Sequence, residues 1–280
     1  MNSKLYKMEK AKLNNGTLMP YIGLGVFRME DNSETQQAIE TALEVGYRHI
    51  DTAAIYQNED SVGQAIKNSG IPRQEIFLTT KLWNDDMRSG KVEEAFEASL
   101  KKLGTDYVDL YLIHWPVKEK FVDAWLKMEK IYKSGRAKAI GVSNFKEHHL
   151  DELKKVSTIV PAVNQIELHP YLIQQSVLDY CNKAGIHAEA WSPFSANKTN
   201  LLKEKILVDL ANKYDKTTAQ IILRWNYQRN VIVIPKSSNK GRLIENLNFF
   251  DFKLTDAEIQ QINSLNKNMR VGSDPDNFDF

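Results

Sequence analysis

Residues 108–143 read V-D-L-Y-L-I-H-W-P-V-K-E-K-F-V-D-A-W-L-K-M-E-K-I-Y-K-S-G-R-A-K-A-I-G-V-S, and their order decides the fold. Positions 108–114 form a short run of branched and aromatic residues that ends on a lone polar group, His114. Val122, Trp125, Leu126 and Glu129 then recur at helical spacing up to Gly135, a helix stop. A second branched run follows over 137–143. Strand, helix and strand in succession predict a βαβ unit with parallel strands.

The alternation extends along the chain. Strands are predicted over 21–26, 49–52, 76–82, 108–114, 137–143, 162–167, 188–192 and 231–236, mostly about 25 to 33 residues apart, the size of a βα unit. Between them, Val92, Ala95, Phe96, Ser99, Leu100 and Leu103 share one helix face before Gly104. Eight such units in 280 residues predict an α/β fold of the (β/α)8 TIM-barrel type. The whole of 1–280 is expected to be a single domain. Ahead of the first strand, Asn15-Gly16 signals a two-residue β-hairpin turn, placed as a cap on the barrel bottom. The polar stretch S-A-N-K-T-N at 195–200 reads as a mobile loop before a helix over 203–214, and the tail 271–280, V-G-S-D-P-D-N-F-D-F, has no helical or strand period.

Charge and composition narrow the functional classes. Thirty-seven basic residues against 36 acidic ones give a formal charge of +1, with no global pull toward nucleic acid or a membrane surface. Cys181 is the only cysteine, so no intrachain disulfide framework exists; its place on an apolar helix face reads as a buried thiol. The N-terminus lacks a signal-like apolar core, and no stretch approaches the ~20 apolar residues of a membrane span. A soluble, cytoplasmic, monomeric protein with a small-molecule partner is expected.

In a barrel of this type, chemistry gathers at the C-terminal ends of the strands. Asp51, Lys81 and His114 each fall at such an end, and Tyr56 lies in the loop after the second strand. A free phenol has a pKa of about 10 and needs a nearby cation to act near neutrality. Lys81 supplies that cation, Asp51 holds Lys81 charged and oriented, and His114 donates a hydrogen bond to a substrate carbonyl. Together these groups read as a proton donor for carbonyl reduction. Other histidines read as bland: His169 in E-L-H-P as structural, and His148 and His149, in a charged helix, as solvated. Gly23 and Gly25 give only G-x-G with no helix following, which excludes a dinucleotide fingerprint of the doubly wound type.

The chain resembles the aldo-keto reductases from near its N-terminus to its last residues. The motifs that carry the resemblance are G-Y-R-H-I-D-T-A-A-I-Y (46–56), T-T-K-L-W-N (79–84), Y-L-I-H-W-P (111–116), I-G-V-S-N-F (140–145), V-N-Q-I-E-L-H-P (163–170), W-S-P (191–193) and I-P-K-S (234–237). It is most similar to the microbial and protozoal branch with glyoxal and methylglyoxal reductases, 2,5-diketogluconate reductases and trypanosomatid prostaglandin F synthase; the tail G-S-D-P-D-N-F-D-F resembles that of the bacterial glyoxal reductases.

The resemblance implies an oxidoreductase in which Tyr56 donates a proton, Asp51 and Lys81 tune it, and His114 orients the carbonyl. Hydride would come from NADPH. Ser143, Asn144 and Gln165 would hold the nicotinamide carboxamide, and Trp191 would stack on the ring. Ser192, Phe194 and Ser195 would fold over the pyrophosphate. Lys236, Ser237 and Arg242 would meet the 2′-phosphate, with Glu245 and Asn246 beside the adenine. Phe27, Trp83, Trp115 and Phe278, with His114, would line the substrate pocket. Two positions depart from the family pattern: Phe27 stands where many members have tryptophan, and S-P-F-S-A-N lacks a glycine common after S-P. The implied activity is reduction of small aldehydes and dicarbonyls. Reductases of sugars, keto acids, ketosteroids or prostaglandin-like substrates, and a nucleotide-sensing subunit of a membrane channel, are the alternatives on the same fold.

Overall fold

The strands form where the branched runs lie, and they pair in chain order. The computed structural model describes residues 9–280. A hairpin of β1 (Lys10–Lys12) and β2 (Leu18–Pro20) precedes eight strands: β3 (Leu24–Gly25), β4 (His49–Asp51), β5 (Phe77–Leu82), β6 (Val108–Ile113), β7 (Ala137–Ser143), β8 (Val163–Glu167), β9 (His187–Trp191) and β10 (Val231–Val233). β3 to β10 are all parallel, each bonded to its sequence neighbour. The Gly23 amide donates to Val233 O at 2.9 Å and the Val233 amide to Tyr21 O at 3.0 Å. The sheet therefore closes into a barrel and leaves no open edge. The first and last strands are shorter than predicted; Pro235 lacks the amide that would continue the ladder of β10.

Helices α1 (Ser33–Val45), α2 (Glu59–Asn68), α3 (Asn84–Ser89), α4 (Val92–Leu103), α5 (Phe121–Lys133), α6 (Glu147–Lys154), α7 (Gln175–Ala184), α8 (Lys205–Tyr214) and α9 (Thr218–Gln228) connect the strands, and α10 (Lys240–Leu247) and α11 (Asp256–Asn263) follow the barrel. In α5, Phe121, Ala124, Trp125, Met128 and Ile131 form one buried stripe, and the chain turns out at Gly135, φ 79°. A fully buried Trp125 side chain contributes enough that Trp125→Ala would cost about 3–5 kcal/mol. The segment 195–200 is not featureless: short 3₁₀ turns at Ser195–Asn197 and Leu201–Lys203 precede α8, which starts at Lys205.

The hairpin turn is longer than Asn15-Gly16 predicts. Lys12 pairs with Leu18, and residues 13–17 form the loop, with the Leu13 amide donating to Thr17 O and the Gly16 amide to Leu13 O, both at 2.9 Å. Burial wins over the two-residue signal, because Leu13 is needed inside. Ala11, Leu13 and Met19 pack with Phe77, Leu110, Leu112, Ala139, Val163 and Ile232. Phe77 and Val163 open their strands, so the hairpin plugs the end opposite the strand C-termini. Among the described residues, no helix is long and apolar enough to cross a membrane.

Candidate active site

Side chains of a strand alternate between faces, so residues two apart share one. His49 and Asp51 on β4, Thr79 and Lys81 on β5, Gln165 on β8 and Glu189 on β9 therefore project into the barrel, above the apolar plug. Lys81 is fully buried; its Nζ donates to Asp51 Oδ1 at 2.6 Å and to Thr52 O at 2.9 Å. Tyr56 ends a short 3₁₀ turn at Ala54–Tyr56, and its ring centroid lies 5.1 Å from Lys81 Nζ. His114 follows β6, its ring 5.6 Å from that of Tyr56. The fold thus brings Asp51, Tyr56, Lys81 and His114 together from three successive units.

Burial dominates the electrostatics here. It pushes the Asp51 carboxyl up, against the opposing pull of the Lys81 ammonium and of the hydrogen bonds from Lys81 and Gln165. Burial alone would lower Lys81, but Asp51 and Tyr56 outweigh it and hold the ammonium charged. The Tyr56 phenol lies above its ordinary value: burial raises it more than Lys81 lowers it. That net direction differs from a phenol activated by its cation; Tyr56 keeps its proton at neutrality, the state a donor requires. Burial, then Lys81, holds His114 well below the ordinary imidazole range, so its ring is neutral and donates from one nitrogen.

The residues expected to meet a nicotinamide sit on the adjacent strand ends. Ser143 Oγ donates to Gln165 O at 2.8 Å, and Asn144 Nδ2 to His114 O at 3.0 Å. Asn144 adopts a left-handed conformation, φ 64°, and its Oδ1 accepts from Trp191 Nε1 at 2.9 Å. Gln165 Nε2 bridges two carboxylates, Asp51 Oδ2 at 2.7 Å and Glu189 Oε2 at 2.8 Å. Its two donors are thereby occupied, and the amide oxygen remains the group offered outward. Ser192 and Ser195 both have positive φ; Ser195 is buried, while Phe194 is half-buried beside it.

At α10, Lys236 and Arg242 are exposed and have no carboxylate partner among the described residues. Ser237 is buried at the approach to the helix, and Asn239 caps it by accepting from the Arg242 amide at 3.0 Å. Lys236 Nζ donates only to Arg28 O, at 3.3 Å, and two cations without a carboxylate partner at a helix N-terminus suit a phosphate. Glu245 and Asn246 follow Arg242 at i+3 and i+4 on α10; Thr217 Oγ1 donates to Glu245 Oε1 at 2.7 Å, and Asn246 is buried next to Tyr47.

Aromatic rings roof the tetrad. Phe27 is exposed, its ring 5.0 Å from Tyr56, and Trp83 stands 5.3 Å from His114. The tail folds over this mouth. Phe278 lies 5.2 Å from Trp115, and Phe280 stacks on Trp83 with planes 4° apart. Glu167 pins the start of the tail, accepting from the Val271 and Gly272 amides at 2.6 and 3.0 Å. A side chain at Gly272 would begin 2.4 Å from the Trp191 ring, so only glycine permits this contact. Lys146 Nζ holds Asp274 and Asp276, each at 2.6 Å.

Several residues escaped the sequence reading. Glu189, Glu167 and His49 are fully buried; the available signal was a charged residue at an inward position of an apolar run, as in H-A-E-A-W. His149 is a correction: it is buried rather than solvated, and its Nδ1 accepts from the Lys146 amide at 3.1 Å. His169, read as structural, is fully buried with Nε2 2.9 Å from Glu167 Oε1.

Residues 21–267 match the model of the Aldo/keto reductase family. The chain is 51% identical over 267 residues to a 9,11-endoperoxide prostaglandin H2 reductase of Trypanosoma cruzi, covering 95% of this chain and 94% of the relative. It is 49% identical over 272 residues to a glyoxal reductase of Bacillus subtilis, covering 97% and 98%. The crystal structure of a Bombyx mori aldo-keto reductase in complex with NADP superposes with a TM-score of 0.89 at 40% identity, covering 96% of each chain.

Proposed function

The chain belongs to the aldo/keto reductase family, an assignment that makes it an oxidoreductase, and from that premise we propose that it uses NADPH to reduce small aldehydes and dicarbonyls of the glyoxal and methylglyoxal type. The observation that carries the reading is the buried Lys81–Asp51 pair at 2.6 Å lying under the Tyr56 ring. The cofactor, when bound, supplies hydride to the carbonyl carbon. Gln165 Oε1, with Ser143 and Asn144, would orient the carboxamide, Trp191 would offer its indole face, and Lys236 and Arg242 would take the 2′-phosphate, favouring NADPH over NADH. Glu245 and Asn246, one turn on from Arg242 along α10, would lie beside the adenine.

Tyr56 holds a proton at its hydroxyl and releases it to the carbonyl oxygen as the alcohol forms. Lys81 then faces the phenolate and stabilises it, while Asp51 keeps Lys81 charged. His114, neutral, donates to the same oxygen and fixes its approach; an aligned proton donor is worth roughly 10² to 10⁴ in rate. Phe27, Trp83, Trp115, Phe278 and Phe280 exclude water from the carbonyl. Their apolar surfaces give only modest discrimination, about 1–3 kcal/mol per methylene, which fits a broad substrate range.

The test is NADPH consumption with glyoxal, methylglyoxal and a series of aldehydes, beside sugars, keto acids and a prostaglandin endoperoxide. Turnover highest on the dicarbonyls is expected. Tight NADPH binding without turnover on any carbonyl would overturn the proposal in favour of a nucleotide-sensing role.

A further inference from the structure

Glu189 has no part in the chemistry above, yet it lies in the same buried cluster. It sits at the middle of β9, directly across from Gln165 in the parallel register, and is fully buried. Gln165 spends one amide hydrogen on Asp51 and the other on Glu189. The remaining oxygen of Glu189 has no hydrogen-bond partner; the nearest basic atom is His49 Nε2 at 3.7 Å. His49 is itself held neutral, its pKa lowered to about 3 by burial and then by Lys81.

The groups facing Glu189 can be counted. β4 contributes His49 and Asp51, β5 contributes Lys81, the loop after β4 contributes Tyr56, and β8 contributes the uncharged Gln165; β10 is apolar. One ammonium faces two carboxylates. Asp51 binds that ammonium directly, so a charged Glu189 would stand unpaired in a fully buried position, a state that burial disfavours. In keeping with this, burial and then the Asp51 charge push the Glu189 carboxyl up to about 8.

A nicotinamide ring differs in charge between its two states: neutral when reduced, cationic when oxidised. That such a ring sits over Gln165 rests on the function proposed above. We propose that Glu189 keeps its proton while NADPH is bound and releases it to solvent while NADP+ is bound, so that a buried carboxylate is exposed to the cationic ring. Glu189 is thus a positioning residue for the Gln165 amide and a one-proton adjuster of the preference between the two cofactor forms.

Linkage of one proton predicts that the affinity ratio for NADP+ over NADPH rises with pH, at the steepest about tenfold per pH unit. The experiment measures affinity for each nucleotide, and protons released on binding each, with wild type, Glu189→Gln and Tyr56→Phe near neutral pH. Subtracting the NADPH value from the NADP+ value cancels titration of the shared 2′-phosphate. Wild type and Tyr56→Phe should release more protons with NADP+, and Glu189→Gln, which keeps an acceptor for Gln165, should lose that excess and flatten the pH dependence. Equal release with both nucleotides in wild type would overturn the inference even if Glu189→Gln does not fold. So would an excess that survives in Glu189→Gln, or one that vanishes in Tyr56→Phe. Failure of both nucleotides to bind would instead refute the cofactor reading beneath it.

Discussion

Replacing Lys81 with methionine keeps the volume of the stem and removes only the ammonium. Asp51 would then lie buried with one remaining donor, Gln165 Nε2 at 2.7 Å, and Thr52 O would lose its side-chain donor. Breaking a buried ion pair from one side costs about 3–5 kcal/mol, a large part of the ~5–15 kcal/mol that stabilises a typical domain. The sign with pH follows from Asp51. Without Lys81 its folded-state pKa lies above the unfolded value of about 3.9, so the native state binds the extra proton and stability falls as pH rises through that interval. The loss measured by denaturant unfolding should therefore be larger near pH 7 than near pH 5. Lys81→Met/Asp51→Asn leaves no unpaired charge and should regain most of the stability. Turnover should stay down by roughly 10² to 10⁴ in both variants, since neither has a cation to face the phenolate. Unfolding of Lys81→Met within about 1 kcal/mol of wild type at both pH values would refute the buried pair as described. Restored turnover in the double variant would refute the role of the ammonium.

Tyr56→Phe keeps the ring that packs on Phe27 and His114, so steady-state kinetics should show kcat reduced by roughly 10² to 10⁴, with NADPH affinity by fluorescence titration little changed. Lys236→Ala and Arg242→Ala should each weaken NADPH binding about tenfold, the worth of ~1.4 kcal/mol for a charge-assisted contact, while NADH affinity, measured by the same titration, stays level. Burial opposes the charge on Glu258, but hydrogen bonds from Lys213, Tyr214 and the Thr255 amide outweigh it and hold that carboxyl down at about 2. Its stabilising effect is present above the unfolded value of about 4.3 and is lost as pH falls toward the folded one. Glu258→Gln should thus lower the thermal midpoint near neutrality, with the gap to wild type closing as the scans are repeated at lower pH.

What could be read from the sequence, and what could not, follows from the range of the interactions involved. The barrel was legible because each βα unit carries its own periodicity, and the parallel pairing of neighbouring units follows from connection length. Lys81 and His114 stood out as polar ends of apolar runs. The hairpin turn was misread because Asn15-Gly16 is a local preference, whereas burial of Leu13 against strands far along the chain sets the loop length. His149 was misread for a similar reason: a charged helix suggests exposure, but α6 turns this ring inward beside Phe121 and Phe145.

The tail illustrates the remaining gap. Its residues have no period because no repeating backbone hydrogen bonds hold it; separate long-range contacts do so instead. Glu167 reaches two amides more than a hundred residues away, and Lys146 binds two aspartates across a similar span. Neither carboxylate nor lysine announces its partner in sequence. Yet these contacts set where Phe278 and Phe280 lie, and hence the shape of the mouth above Tyr56. The proposed proton-donating groups lie at or just after strand ends, which local pattern locates; the aromatic rings of the tail above them belong to a segment whose position is fixed only once the barrel has closed.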